Sequence, residues 1–295
     1  EVDVETLIFE NDQIHYIIFG GSDISNWSSV DFYCQNGGMK LLDNFSHADL
    51  DIYMYNGKLD FGSSICVFDS LINWGNLLNP EDVEFDFGSS NLTFNNFYLY
   101  EAGSVNGGTS TIILSGDFEG SGRFSYELYN LTFSESASFS TGIISFNILT
   151  ITTGKTIVFD TAYDNVGFGY ESESFITIRD NLVTTGSTLR YSSAPKQFTF
   201  IKSSGFIEIY TTSLRDSAAT GGAVWYACNC TNVSNNTGWI FACVNPNYTT
   251  SLISAVAHIQ EGISAPKFLF GGKRSLADST YALFKKNTSY VYSSW

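Results

Sequence analysis

Positive charge is what this chain has least of: 14 Lys and Arg stand against 30 Asp and Glu in 295 residues, a formal net charge of −16. Nucleic acid is disfavoured as a partner, because affinity for a phosphate backbone comes chiefly from basic side chains that displace counterions. An anionic membrane surface is disfavoured on the same ground. No apolar run approaches the roughly 20 residues that cross a bilayer as a helix. No basic, apolar leader stands at Glu1, so the expectation is a soluble, mature product without a membrane span.

Histidine is limited to His15, His47 and His258, and proline to four residues. No Gly-x-Ser-x-Gly, His-Glu-x-x-His or Gly-rich phosphate loop followed by Lys occurs, which removes most support for hydrolase and nucleotide chemistry. Neither a catalytic residue nor a cofactor is assigned on these grounds, and the chain is not expected to be an enzyme. What is abundant is aromatic and polar: 25 Phe, 17 Tyr and 26 Gly, with much Ile, Thr, Ser and Asn. Such residues suit pleated, half-buried surfaces, so the fold class is all-β.

Charge is distributed unevenly. Residues 1 to 100 carry sixteen acidic side chains against Lys40 and Lys58. Residues 251 to 295 carry Lys267, Lys273, Arg274, Lys285 and Lys286 against Glu261 and Asp278. An acidic front and a basic rear favour head-to-tail association into a homo-oligomer or polymer.

Nine Asn-x-Ser/Thr sequons occur, at Asn26, Asn44, Asn91, Asn130, Asn229, Asn232, Asn235, Asn247 and Asn287, where residue frequencies give about five by chance. The excess points to N-glycosylation and an extracellular or cell-surface location. Five cysteines, Cys34, Cys66, Cys228, Cys230 and Cys243, allow two disulfides and one remaining thiol. The local pairs are Cys34 with Cys66, and Cys228 or Cys230 with Cys243. Zinc at Cys228-x-Cys230 lacks a histidine at ligand spacing, so no metal site is expected.

Two short apolar strands in Val2 to Phe19, separated by Asn11-Asp12, read as an N-terminal hairpin or cap, giving a first region 1–48. From Asp49 short apolar stretches return every 18 to 22 residues, among them Leu50 to Tyr55, Leu92 to Tyr100, Ile143 to Ile151 and Phe198 to Ile201. That period approximates one coil of a parallel β-solenoid with capping strands, which forms a trunk over 49–226. An antiparallel sandwich or jelly roll is the alternative. The remainder, 227–295, holds the sequon and cysteine cluster. Within it Ser251 to Gly262 reads as one short helix, and Tyr281 to Trp295 as a terminal strand.

Thr212 to Tyr226 contains Gly221-Gly222-Ala223-Val224, and this stretch resembles one repeat of the polymorphic outer-membrane-protein type of right-handed parallel β-helix. In that family a Gly-Gly-Ala followed by a branched aliphatic marks a coil corner. Leu214 to Ser217 loosely resembles the accompanying Phe-x-x-Asn element but ends in Ser. The resemblance covers about fifteen residues, implies a β-helix and carries no functional residue.

The enzymatic alternative is a polysaccharide lyase or glycoside hydrolase, whose carboxylates share one face. Asp49 with Asp51, and Glu84 with Asp86, have the i, i+2 spacing that places both on one side of a strand. Calcium at Glu81 to Asp86 lacks the Gly-containing loop of a calcium motif. Trp27, Trp74, Trp225 and Trp239 could stack on sugars if exposed, but as core or corner residues they only pack. Together these readings anticipate a secreted structural glycoprotein assembling through its ends into a fibre or surface layer. A carbohydrate-binding adhesin or polysaccharide-active β-helix is the alternative.

Overall fold

The computed structural model describes residues 3–9, 13–18, 27–73, 83–100, 104–120, 125–160, 174–192 and 196–244. The chain divides into two units, Glu1–Cys243 and Val244–Trp295, and the described residues belong almost wholly to the first. Among them there is no helix, and every strand pairing is parallel. The solenoid reading therefore stands and the antiparallel sandwich does not. Parallel neighbours fit because about 20 residues separate one strand from the next it pairs with, enough to complete a circuit.

Each circuit lays strands on three faces. Face A runs through Asp3–Phe9, Trp27–Leu41, Asp51–Asp60, Ser70–Asn73, Asn96–Leu99, Phe118–Gly120, Ala137–Ser140, Thr156–Asp160, Thr188–Tyr191, Ser213–Arg215 and Thr231–Ser234. These eleven strands number coils 1 to 11. Face B begins with Ile14–Ile17 and uses the second halves of Trp27–Leu41 and Asp51–Asp60. It continues through Val83–Asp86, Ser104–Asn106, the first halves of Ser125–Phe133, Ile143–Ile151 and Phe175–Thr184, then Phe198–Lys202 and Ser217–Gly221. Face C takes Phe45–Ser46, Ile65–Val67, Asn91–Phe94, Thr111–Leu114 and the second halves of those three long strands. Phe206–Tyr210, Val224–Cys228 and Trp239–Ile240 complete it, joined through a Thr185–Tyr210 bridge.

Residue alternation dictates the interior. In Asp51–Asp60 the buried residues are Ile52, Met54 and Leu59, while Asp51 and Tyr53 face outward, the period of two that a strand imposes. Because coils stack in register, like residues pile up. Phe97, Phe118, Phe139 and Phe159 occupy one inward column of face A, all at most 1% exposed, with successive ring centroids 5.3, 4.9 and 5.4 Å apart. Burying each such ring contributes about 1.5–3 kcal/mol, and no coil can do so without its neighbours.

The corner between faces B and C carries a repeat: Asp60-Phe61-Gly62-Ser63-Ser64, Asp86-Phe87-Gly88-Ser89-Ser90 and Asn106-Gly107-Gly108-Thr109-Ser110. The third-position glycines have φ of 58°, 52° and 53°, the left-handed region that Cβ-bearing residues avoid. Each glycine N–H donates to the Asx side-chain oxygen two residues earlier, at 2.7, 3.1 and 3.1 Å. The buried closing serines Ser64, Ser90 and Ser110 donate their N–H to the carbonyl three residues back, each at 3.0 Å.

Two boundaries differ from the sequence reading. Asp3–Phe9 and Ile14–Ile17 do not pair as a hairpin; both align in parallel with Trp27–Leu41, so solenoid pairing starts before Asp49. At the other end Thr231–Ser234 and Trp239–Ile240 extend faces A and C beyond residue 226. The apolar period is weak in both places because Thr231–Ser234 is exposed throughout and Trp27–Leu41 crosses a corner without a break. Gly221 to Ala223 form a corner between faces B and C. The segments 251–262 and 281–295, read as helix and strand, lie outside the described residues.

Candidate functional site

The three faces differ in the chemistry of their outer sides. Face B carries ion pairs near its start: Lys40 to Asp60 at 2.6 Å, and Lys58 to Glu84 and Asp86 at 2.7 and 3.1 Å. Hydrogen bonding to Asp60 holds the Lys40 ammonium above its ordinary range. Burial pulls Lys58 down, but its bonds to Glu84 and Asp86 outweigh that and leave it raised. Glu84 and Asp86 do share one side of a strand, as their spacing requires, yet both are occupied by Lys58. That correction removes them as a free carboxylate pair.

Among the described residues, no Lys or Arg pairs with Asp31, Asp51, Asp69 or Glu119 on face A. One outward-pointing column reads Asp31, Tyr53, Ile72, Tyr98, Glu119, Ser140 and Asp160 on coils 2 to 8, in which Ile72 is covered, at 8% exposed, as is Ser70 beside it. The adjacent column reads Ser29, Asp51, Ser70 and Asn96. Lys40 and Lys58 lie in the face B halves of their strands, and no Lys or Arg stands on the face A portions between Asp31 and Asp160; Arg190 and Arg215 enter only on coils 9 and 10. The Tyr53 hydroxyl lies 3.4 Å from an Asp51 carboxylate oxygen, and Ser70 donates to Asp69 at 3.1 Å. The Tyr98 and Tyr100 rings lie 5.7 Å apart, within 6° of parallel.

Burial, then the facing Asp69, raises the Asp51 carboxyl above its ordinary value, against the opposing pull of its Ser70 and Tyr53 contacts. Burial raises Asp31 too. Tyr53 and Tyr98 are raised first by burial and then by the surrounding carboxylates. Tyr100 is raised by burial and by its hydrogen bond to Glu119. All three phenols stay protonated at neutral pH and remain hydrogen-bond donors. The arrangement offers half-buried aromatic rings flanked by carboxylate acceptors and hydroxyl donors. Parallel strands lie about 4.8 Å apart, which places Tyr53 and Tyr98, two coils apart, at roughly 10 Å.

Asp51 thus has a carboxyl neighbour, but it is Asp69 from the next coil. Asp49 lies exposed in the turn before the strand and not on its outer side. Among the tryptophans, Trp225 and Trp239 are buried with centroids 5.3 Å apart and Trp27 is half-buried. Trp74 lies outside the described residues. The exposed-tryptophan reading therefore gives way to the tyrosines of face A. No local motif marks these: Tyr53 sits in one stretch and Tyr98 and Tyr100 in another, and only register gathers them.

The described sequons fall outside coils 2 to 8 of face A. Asn91 and Asn130 occupy equivalent positions on face C, linked through Thr111. Asn44 stands beside them, its side-chain oxygen accepting the Ile65 N–H at 2.7 Å. Asn91-Leu92-Thr93 and Asn130-Leu131-Thr132 are thus one coil position repeated, and part of the sequon excess reflects the solenoid pattern. Asn229, Asn232 and Asn235 are exposed at the last coils, although the Asn235 amide nitrogen donates to buried Asp216 at 3.1 Å. Asn26, Asn247 and Asn287 lie outside the described residues.

Cys228 and Cys243 form a disulfide, one of the two pairings left open for Cys243. Cys66 is a free, buried thiol, so the expected Cys34–Cys66 bridge is absent. The reason is direction: Cys66 points into the core, stacked between Phe45 and Leu92. The Cys34 side chain lies outside those described. Cys230 is free and half-buried. Glu208 lies close to Cys228 and Cys243, but the disulfide leaves no thiolate to bind a metal there. No protein-family model, curated protein or solved structure matches this chain.

Proposed function

We propose that this chain is an extracellular carbohydrate-binding protein that holds an extended polysaccharide along the outer side of face A. The observation that carries the reading is the in-register placement of Tyr53 and Tyr98, with Tyr100 beside them, among Asp51, Asp69 and Glu119. Aromatic rings bury the apolar side of a sugar while a polar tip stays wet. Carboxylates accept hydrogen bonds from several hydroxyls. Successive coils repeat their contacts at a step of about 4.8 Å, so a linear polymer running along the face meets similar groups at regular intervals. Carboxylates with no basic partner among the described residues disfavour polyuronates and other anionic glycans. The sequons of coils 2 to 6 that are described, Asn44, Asn91 and Asn130, leave face A clear. The chain has no long apolar helix among its described residues, and its disulfide suits an oxidising compartment.

Glycan-array and titration binding of the wild type and Tyr98→Ala tests the reading. Binding to neutral or cationic polysaccharides that Tyr98→Ala reduces at least tenfold, with an unchanged circular dichroism spectrum, supports it. A chain that binds no saccharide, or whose binding ignores Tyr98, overturns it.

The second reading is a structural element that associates with copies of itself. What favours it is the outer side of face C, which carries no charged residue between Ile65 and Val183 although the chain carries −16.

A further inference from the structure

We infer that face C is the surface through which two copies of this chain pack, and that glycans on Asn91 and Asn130 prevent it; the inference rests on the self-association reading. The outer side of face C holds two columns. One is Val67, Thr93, Ile113, Thr132, Thr150 and Val183, six β-branched side chains on coils 3 to 8. The other is Ile65, Asn91, Thr111, Asn130, Ile148 and Asn181 on the same coils. Several of the apolar members are well exposed: Ile65 at 53%, Ile113 at 38% and Val183 at 42%.

Electrostatics selects this face among the three. Two copies of a chain with net charge −16 repel, and pairing through face A would bring Asp51, Asp69 and Glu119 against their equivalents. Face B would oppose ion pairs already satisfied within each copy. Face C brings together methyl, hydroxyl and amide groups with no charge to desolvate, and sheets with such faces interdigitate at about 10 Å. Six strands at about 4.8 Å make a strip roughly 30 Å long. An area of roughly a few hundred Å² per copy lies below the ~800 Å² per partner of stable interfaces, so the pair is weak and concentration-dependent.

The sequons stand inside the same strip. Asn91 is exposed and Asn130 half-buried, two coils apart in the column beside Thr93 and Thr132. A glycan on either nitrogen projects from the surface that a second sheet must approach, so its bulk separates the copies. The same residues therefore decide between a shielded monomer and a paired form.

The test compares the secreted, glycan-bearing full chain with its Asn91→Gln/Asn130→Gln variant by sedimentation equilibrium over a wide concentration range. Site occupancy is read by mass spectrometry. Expected is a monomer where both sites carry glycan, and a weight-average mass rising toward twice the monomer in the variant. Adding Ile113→Glu, or Thr132→Lys should that chain fold poorly, must return the variant to monomer, while Ser138→Glu on face A must not. Association that ignores both face C substitutions overturns the inference and leaves the self-association reading standing. A variant that stays monomeric at every concentration overturns both.

Discussion

Gly88 rests directly on Gly62 of the preceding coil. The Gly62 carbonyl accepts the Ser89 N–H at 2.7 Å, and a Cβ built on Gly88 would collide with that same carbonyl group. Gly108 repeats the relationship one coil later, against Gly88. The contact is backbone on backbone, so no rotamer change can relieve it.

Gly88→Ala is therefore expected to cost clearly more than the ~1–2 kcal/mol that a Cβ pays in left-handed backbone, because the collision adds to it. Gly154 supplies the comparison, with φ of 80° and nothing within 4 Å of its would-be Cβ. Gly154→Ala should lose only the conformational part, ~1–2 kcal/mol. Urea unfolding followed by circular dichroism measures both; equal losses would show that the stacked turns yield freely.

Asp51 links the candidate site to stability. Its folded carboxyl titrates above the ordinary value, chiefly through burial and then through Asp69, so the folded chain retains this proton to higher pH than the unfolded chain. The cost of ionising it is absent below the unfolded pKa of about 3.9 and grows as pH rises through the folded value. Asp51→Asn is accordingly expected to raise the urea midpoint at pH 7 and to lose that advantage at pH 3. The same substitution should weaken saccharide binding, separating the two roles of the carboxyl. A midpoint that falls at pH 7 would mean the ionised group is favourably paired.

Cys66 reports on the core. Burial pushes its thiol up to about 12, and only the thiolate reacts. Against an ordinary thiol, a rise of that size implies roughly thousandfold slower alkylation near pH 8, before steric exclusion is counted. Iodoacetamide applied to the native chain should leave Cys66 unmodified while Cys230, half-buried and raised less far, reacts first; both should react alike in strong denaturant. Peptide mass spectrometry follows the two sites. Equal native rates would place the Cys66 position at a mobile surface.

Separation of the Cys228–Cys243 loop is 15 residues, and closing a loop of that length contributes about 3 kcal/mol in the chain-entropy model. Cys243→Ser should lower the stability of the last coils by up to that amount and leave saccharide binding on coils 3 to 6 intact. Hydrogen exchange resolved along the chain distinguishes this from a global loss.

Inward positions were legible from the primary structure because they obey a local rule. Ile52 and Met54, or Leu149 and Ile151, alternate with polar neighbours, and that alternation fixes both strand and buried side. The recurrence of such stretches near 20 residues implied stacked coils, and composition removed nucleic acid from the partners. The Asp-Phe-Gly-Ser-Ser turns at Asp60 and Asp86 were equally open to inspection, as a repeat with a glycine at a fixed place.

The tertiary structure alone decided what lies beside what across coils. Asp51 meets Asp69, Tyr53 shares a column with Tyr98, and Asn91 shares one with Asn130, because register between parallel strands depends on the lengths of the intervening corners. Those lengths vary: 26 residues separate Leu71 from Phe97, its partner on the next coil, and 21 separate Phe97 from Phe118. Alternation along a strand is set by neighbouring residues and survives such variation. Alignment between strands is set by inserted loops, carries no local signature, and is fixed only when the coils close on a common core.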